Sequence, residues 1–558
     1  MSTTKFLPFA VLALTQSIAF AQQVPSAGSQ LHQIPPAPAL QQVPPRLRVE
    51  QAAEPVAANM PSSTASIEVR RLRVTGARVY PEAALLAQTG FQPGSRLTLA
   101  ELNALALMIE QHYRSNGYFV AQAYLPAQDI QDGVVTIAVL EGQYGQIGLK
   151  NQTNMSDGRV GALLAGIDSG DTVMREPLEQ RLLLLSDLPG VIVKSTLAPG
   201  ATPGTSDLLI DVQPGQRVTG SIDADNAGSR YTGAYRIGAT VNLNQPFGLG
   251  DVASLRVLTS GDGLKYARAA YQLQVGRATV GAAYSRLDYK LGKEFDSLGA
   301  RGTASIAGIY GSYPLIRSRD NNLYAQLSYD DKTFQDKVQV ASVVNDKKVR
   351  AATIGLAGDH RDSLGGGGIS NYALALTSGD LDIQTADVRA FDALTARSNG
   401  GYRKLALSAS RLQSVSDTVS LYAAINGQLA SKNLDVSERM ELGGINGVRA
   451  YPEGEAYADQ GYVLNLEARL QLPPLPATLP GQMQLIGFVD TGTVSLNKNQ
   501  WAAGDNKRTL SGAGIGLSWA NNNDFVVRAY YAHKLGGAVA TSAPDKGGRF
   551  WIQAVKYF

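Results

Sequence analysis

The chain has 558 residues, 44% hydrophobic and 17% charged, with a formal net charge of +3, four histidines and no cysteine. Disulfides, thiol chemistry and cysteine-type metal sites are excluded, and so small a charge without a basic stripe gives no ground for a nucleic-acid partner. The charged share lies below the roughly 25% usual for soluble domains, while 58 glycines and 24 tyrosines suit an exported β-rich protein.

Residues 1–21 read as a signal peptide. Lys5 supplies the positive end, FLPFAVLALTQSIAFA the apolar core, and Ala19-Phe20-Ala21 the small-x-small cleavage pattern. After the first twenty positions no run of about 18 apolar residues occurs, so no transmembrane helix is expected. Residues 22–65 are expected to hold a short helix and a linker. SAGSQLHQI predicts about two helical turns capped by Ser26 or Ser29. The proline-rich run IPPAPALQQVPPRLRVEQAAEP predicts an extended tether. So short a helix is marginal in water and needs a pocket.

Residues 66–142 predict a small α+β domain. SIEVRRLRVTG reads as a strand and PEAALLAQTG as a short helix. A second helix opens on a capping box, Thr98 with Glu101, and presents Leu102, Leu105, Ala106, Ile109 and Tyr113 on one face. Gly117 ends it. YFVAQAYLP and GVVTIAVLEG read as closing strands. Residues 143–215 repeat that order: GQIGLKN as strand, DGRVGALLAGI as helix, then a helix opened by Pro177 with Leu178, Leu182, Leu185 and Leu188 on one face. VIVKSTLAPG and SDLLIDVQPG close the unit.

Residues 216–558 alternate. In YRIGATVNLN, apolar Tyr235, Ile237, Ala239, Val241 and Leu243 interleave with Arg236, Gly238, Thr240, Asn242 and Asn244. In YVLNLEARLQL, Leu464, Leu466, Ala468, Leu470 and Leu472 interleave with Asn465, Glu467, Arg469 and Gln471. Segments of about ten alternating residues separated by turns predict a transmembrane β-barrel rather than a large soluble sandwich. No helix is expected in this stretch. At about 21 residues per strand and loop, the length predicts about sixteen strands and an aqueous lumen.

Together these stretches resemble the transporters of two-partner secretion, the TpsB proteins of the Omp85 superfamily. Two motifs carry the resemblance most specifically. VRAY, Val448–Arg449–Ala450–Tyr451, is similar to the VRGY/F tip of the superfamily's long sixth loop, with Ala450 in place of the usual glycine. FVDTG, containing Phe488, Asp490 and Gly492, is similar to its FxDxG barrel-wall strand. The expected fold is mainly β: a C-terminal 16-stranded transmembrane β-barrel behind two N-terminal α+β POTRA domains.

The resemblance implies that the loop of residues 443–461 folds into the lumen and that Arg449 meets Asp490. It implies that the helix near residues 26–34 plugs the pore. It also implies a partner, a large secreted exoprotein of adhesin or haemolysin type with an N-terminal secretion domain, captured unfolded by the POTRA units and exported without ATP. Outer-membrane lipid and the barrel assembly machinery are the other expected partners, and Phe558 the C-terminal assembly signal. Lys556 departs from the apolar pattern of such a terminus. No catalytic residue, metal or cofactor is expected: GDHRD around His360 has no second constellation to complete a site, and LGGGG lacks the Lys-Ser/Thr of a phosphate cradle. An assembly insertase of the same superfamily is the alternative; a passive porin would not need the two N-terminal units.

Overall fold

The computed structural model describes residues 24–38, 46–49, 65–476 and 478–558. The expected signal peptide and most of the linker lie outside the described residues. The chain forms two units, one holding the two small α+β domains and one holding the barrel and the short N-terminal helix.

In the first α+β domain the expected leading strand is broken at Arg70. Ser66–Val69 pairs with Ser95–Thr98, a strand the sequence reading missed. Arg71–Thr75 runs parallel to Val134–Leu140. The expected strand over YFVAQAYLP shortens to Gln122–Tyr124. Helix Leu99–Ser115 begins on the expected capping box: the Glu101 amide donates to Thr98 Oγ1 at 3.3 Å, and the Thr98 amide donates to Glu101 Oε2 at 2.7 Å. Its buried face is Leu102, Ala106, Ile109 and Tyr113, with Leu105 only partly covered. The Tyr113 hydroxyl donates to Glu141 at 2.8 Å, and burial, with Glu141 second, pushes its pKa up.

The second domain follows the expected order, and Leu178, Leu182, Leu185 and Leu188 are all buried. One correction concerns residues 22–65. Within that span Arg46–Val49 is not free tether; it pairs in parallel with Lys194–Leu197 and extends the sheet of the second domain.

Sixteen strands, from Val218–Asp225 to Gly548–Tyr557, close into an antiparallel barrel. The alternation reads out as two surfaces. Ile237, Leu255, Ile309, Leu327 and Ile354 are exposed on the outside, while Arg236, Arg256, Glu467 and Asp490 are buried inside. The seam joins Ser221–Asp225 to Gln553–Tyr557. Phe558 completes it, with reciprocal backbone hydrogen bonds to Gly220. A Cβ on Gly220 would lie 2.5 Å from the Phe558 ring, so the ring packs into the space glycine leaves. Lys556 lies on the outer face and is paired with Asp524 in the adjacent turn. The stretch is not free of helix: Ala386–Leu394 forms one in a surface loop, its C-terminal return held by Asp392, which accepts from Ser398 and Asn399.

Candidate functional site

Two pieces of the chain fill the barrel. The first is the helix Ala27–His32, capped by Ser26, with Ser29 completing a capping box. Its pocket is the lumen wall. The Ala27 amide donates to Asp336 at 2.7 Å, and Asp336 also accepts from the Tyr289 hydroxyl at 2.8 Å. Thr232 donates to the Gln30 side chain at 2.7 Å. Arg236 donates to the Gln33 carbonyl while paired to Asp225. Tyr457 donates to the Ser29 carbonyl at 3.0 Å and accepts from Gln33 at 3.1 Å. Among the described residues this helix is held by hydrogen bonds and apolar contact, without an ion pair of its own.

The second piece is the loop between strands Val419–Ala430 and Gln460–Gln471. Its arms pair as Met440–Glu441 with Tyr457–Ala458. Gly444, at φ +92°, turns the chain where a side chain would strain it. The tip is buried: Val448, Ala450 and Tyr451 are fully covered.

Arg449 reaches Asp490 with both ends of its fork, Nε to Oδ2 at 2.8 Å and Nη2 to Oδ1 at 2.7 Å, and its backbone amide also donates to Oδ2 at 3.1 Å. Asn465 donates to Asp490 Oδ1 at 2.8 Å, so both carboxylate oxygens are fully used. The remaining guanidinium nitrogen donates to Glu467 at 2.7 Å. The guanidinium carbon stands 3.6 Å from the Phe488 ring centroid and 5.1 Å from that of Tyr530. A planar cation stacked on aromatics with two carboxylates around it suits arginine and not lysine. The Trp551 indole donates to the Arg449 carbonyl at 2.7 Å, tying the tip to the last strand.

The sequence-predicted residues therefore come together. Phe488, Asp490 and Gly492 share the lumenal face of strand Gln482–Ser495. A Cβ on Gly492 would meet Leu442 Cδ1 at 2.5 Å and the Tyr462 carbonyl at 2.7 Å, so glycine lets the loop arm close. Ala450 takes an ordinary φ, and its methyl fits against Gly512, where a Cβ would come within 2.5 Å. The exchange of glycine for alanine in the tip is thus absorbed by a glycine on the wall. Tyr451 anchors outward, its hydroxyl donating to the Ala538 carbonyl at 3.0 Å under Lys534.

Sequence reasoning missed Asn465, Glu467, Tyr530 and Trp551 as members of this constellation. Glu467 left a signal, because a charge on the lumenal row of an alternating strand needs a partner at membrane depth. Farther along the loop, Glu455, fully buried, accepts from Thr541 and Ser542 and pairs with Arg508, bracing the loop against its neighbour.

A lipid-facing sixteen-stranded barrel, an infolded loop locked to its wall and a pair of POTRA-like domains define an outer-membrane barrel transporter. The chain belongs to the haemolysin secretion/activation protein family ShlB/FhaC/HecB, matched over residues 204–519, with a ShlB-type POTRA domain matched at residues 67–142. It is 30% identical over 474 residues to the heme/hemopexin transporter protein HuxB of Haemophilus influenzae, covering 83% of this chain and 82% of that protein. Its fold is similar to that of CdiB from Escherichia coli, with a TM-score of 0.69 at 21% identity over 90% of this chain and 93% of that one. It is also similar to BamA from Haemophilus ducreyi lacking POTRA domains 1–3, with a TM-score of 0.53 at 14% identity, over 88% of this chain and all of that one. The protein is thus an outer-membrane transporter of Gram-negative bacteria that exports a partner exoprotein, its POTRA domains in the periplasm, and the assembly-insertase alternative gives way to this reading. The members of its family are transporters rather than enzymes.

Proposed function

We propose that this chain carries one large exoprotein through its lumen as an extended polypeptide, without ATP, after the helix Ala27–His32 has left the pore. The observation that carries this reading is the way the lumen is filled. The helix is short, tethered by a proline-rich segment and held by hydrogen bonds to Asp336, Thr232, Arg236 and Tyr457. Each neutral bond is worth about 1 kcal/mol net and each bond to a charged group about 1.5–3 kcal/mol; with the packing of Ala27 and Leu31 added, the helix is held by noncovalent contacts alone and can be displaced as a unit.

The POTRA domains capture the client unfolded, by its N-terminal secretion domain, through strand addition to a sheet edge. Gln122–Tyr124 and Gln143–Asn151 are edge strands of their sheets, whereas Lys194–Leu197 is already paired by the chain's own Arg46–Val49. Arg449 and Asp490 act as the lock that keeps the loop seated during transport, with Val448, Ala450 and Tyr451 shaping its tip and Phe488 and Gly492 its socket. Outer-membrane lipid covers the exposed apolar band, and the barrel assembly machinery inserts the chain, reading the terminus at Phe558. Residues 1–21 direct export as a cleaved signal peptide, and residues 66–142, 143–215 and 216–558 act as two POTRA domains and the barrel. The protein works without a cofactor or catalytic residue.

The test is deletion of the chain in its host, with mass spectrometry of medium and periplasm. One large protein lost from the medium and trapped or degraded in the periplasm is the expected result. A joint fall of many outer-membrane proteins would overturn the reading.

A further inference from the structure

Beneath the infolded loop the barrel lumen holds a half-open cavity of about 430 Å³, bounded above by the loop residues Ile445, Asn446 and Arg449 and on its sides by strands between Tyr422 and Gln553. Strand Gln482–Ser495 rises from the turn on the periplasmic side, so Gln484 and Ile486, which line the cavity, precede the lock residue Asp490 along it. The cavity therefore lies on the periplasmic side of the lock. The plug helix packs elsewhere, against strands Ala278–Lys290, Ala300–Arg317 and Asn321–Val338. None of these lines the cavity.

The cavity wall has a distinct chemistry. Register places the lining residues Gln484, Ser518, Arg528 and Gln553 directly side by side on four successive strands, with Gln471, outside the lining, next to Gln484 on a fifth. All five fall on the lumenal side of the alternation. Gln484 donates to Gln471 at 3.0 Å. Arg469 and Arg449 are committed to Glu467 and Asp490. Arg528 differs: among the described residues it has no carboxylate within salt-bridge distance. The side chains of Ser518 and Gln553 are likewise without a protein hydrogen-bond partner among the described residues. A row of amides, a hydroxyl and one uncommitted guanidinium, facing water, offers donors and acceptors to a peptide backbone without reading particular side chains.

We infer that this cavity is a holding station for the translocating polypeptide, in which an extended segment of the client lies along the row from Gln484 to Gln553, its backbone carbonyls and acidic side chains met by Arg528. The inference rests on the transporter reading and names where in the lumen the client is held. The volume falls within the 300–1,000 Å³ typical of ligand sites, room for a few residues in transit.

The experiment installs a photo-crosslinking amino acid singly at Gln553, at Thr353 on the lumenal face of strand Val343–Asp362, and at Ile515 on the lipid face. Cells making folded barrel, scored by heat-modifiable mobility, are irradiated during secretion. The adduct sought is with the same exoprotein that leaves the medium when the chain is deleted. Strong adducts from Gln553, with Thr353 and Ile515 weak or silent, are expected. Adducts from Thr353 as strong as from Gln553, or from Thr353 alone, would overturn the station and leave the transporter reading standing. No adduct anywhere, with no exoprotein lost on deletion, would overturn both. In parallel, Arg528→Glu is expected to lower export about tenfold at equal barrel abundance, the size of one lost charge-assisted hydrogen bond, with Arg528→Lys retaining it. Equal export by Arg528→Glu would contradict the assigned role of that charge.

Discussion

Replacing Arg449 by alanine tests whether the lock serves transport rather than assembly. The substitution leaves Asp490, which is completely buried, with Asn465 as its remaining side-chain donor, and leaves Glu467 with Arg469 alone. Breaking a buried pair by deleting one partner costs about 3–5 kcal/mol. The cavity under Arg449 admits water, so the low end applies here, about 3 kcal/mol, or roughly a hundredfold shift toward the unseated loop. The barrel itself is held by ladders that do not pass through Arg449, including twelve register pairs between strands Gln460–Gln471 and Gln482–Ser495. Heat-modifiable mobility and abundance should therefore stay near wild type. Amide exchange across residues 443–459 should accelerate by about two orders of magnitude, and export should fall. Glu467→Gln, which keeps the bidentate Asp490 contact, should cost about 1 kcal/mol and leave most export intact. Slow exchange in the loop together with undiminished export by Arg449→Ala would refute the lock.

Three further outcomes follow from the same geometry. Gly492→Ala forces a Cβ against the Tyr462 carbonyl and Leu442, and should destabilise the seated loop by about 1–3 kcal/mol, seen as faster loop exchange with the barrel still closed. Deleting residues 24–34 removes the plug, and single-channel conductance in planar bilayers should rise; unchanged conductance would count against the plug. In the first POTRA domain, Thr98→Ala should cost about 1 kcal/mol in urea unfolding. The amide and hydroxyl of Thr98 hold the Glu101 carboxyl below its ordinary range. A lowered carboxyl pKa gives stability that is present above the usual glutamate value and is lost as pH falls through the folded value. The difference between wild type and Thr98→Ala should therefore shrink on acidification below about pH 4.

The barrel was legible because its physics is local. Alternation in YRIGATVNLN or YVLNLEARLQL reports one face in lipid and one in the lumen, whatever lies across the pore. The same alternation put Phe488, Asp490 and Gly492 on one face, but the pairing of Asp490 with Arg449 was implied only by the family resemblance of the two motifs. What stayed hidden depends on contacts between segments far apart in sequence. Glu467 was visible as a lumenal charge, but its sharing of Arg449 with Asp490 is set by where the loop tip lands. Gly512 makes room for Ala450 from 62 positions away, and nothing local to either residue signals the pairing. Arg46–Val49 was lost in a proline-rich run because four residues carry too little alternation to mark a strand. Its ladder partner, Lys194–Leu197, supplies the order instead. The helix Ala386–Leu394 begins after Thr385, whose side chain makes no cap hydrogen bond, and its nine residues were passed over among the alternating strands.

The helix Ala27–His32 and the loop tip are separate parts: the helix meets the loop on its arms, at Val436–Glu438, where His32 Nε2 lies 2.9 Å from the Val436 carbonyl, and at Tyr457. The helix packs on strands between Ala278 and Val338 and on the loop turn Val436–Glu438, whereas the loop tip packs on strands between Gln460 and Tyr557. Tyr457, on the returning arm of the loop, bridges them by donating to Ser29 and accepting from Gln33. Removing its hydroxyl takes two hydrogen bonds from the plug at about 1 kcal/mol each, while the Arg449–Asp490 contact, formed elsewhere on the loop, loses nothing. Tyr457→Phe should thus raise the open fraction of the channel by roughly ten- to thirtyfold, without faster exchange at residues 447–451. If opening and loop exchange rise together, the plug and the lock form one cooperative element, and the separation drawn here fails.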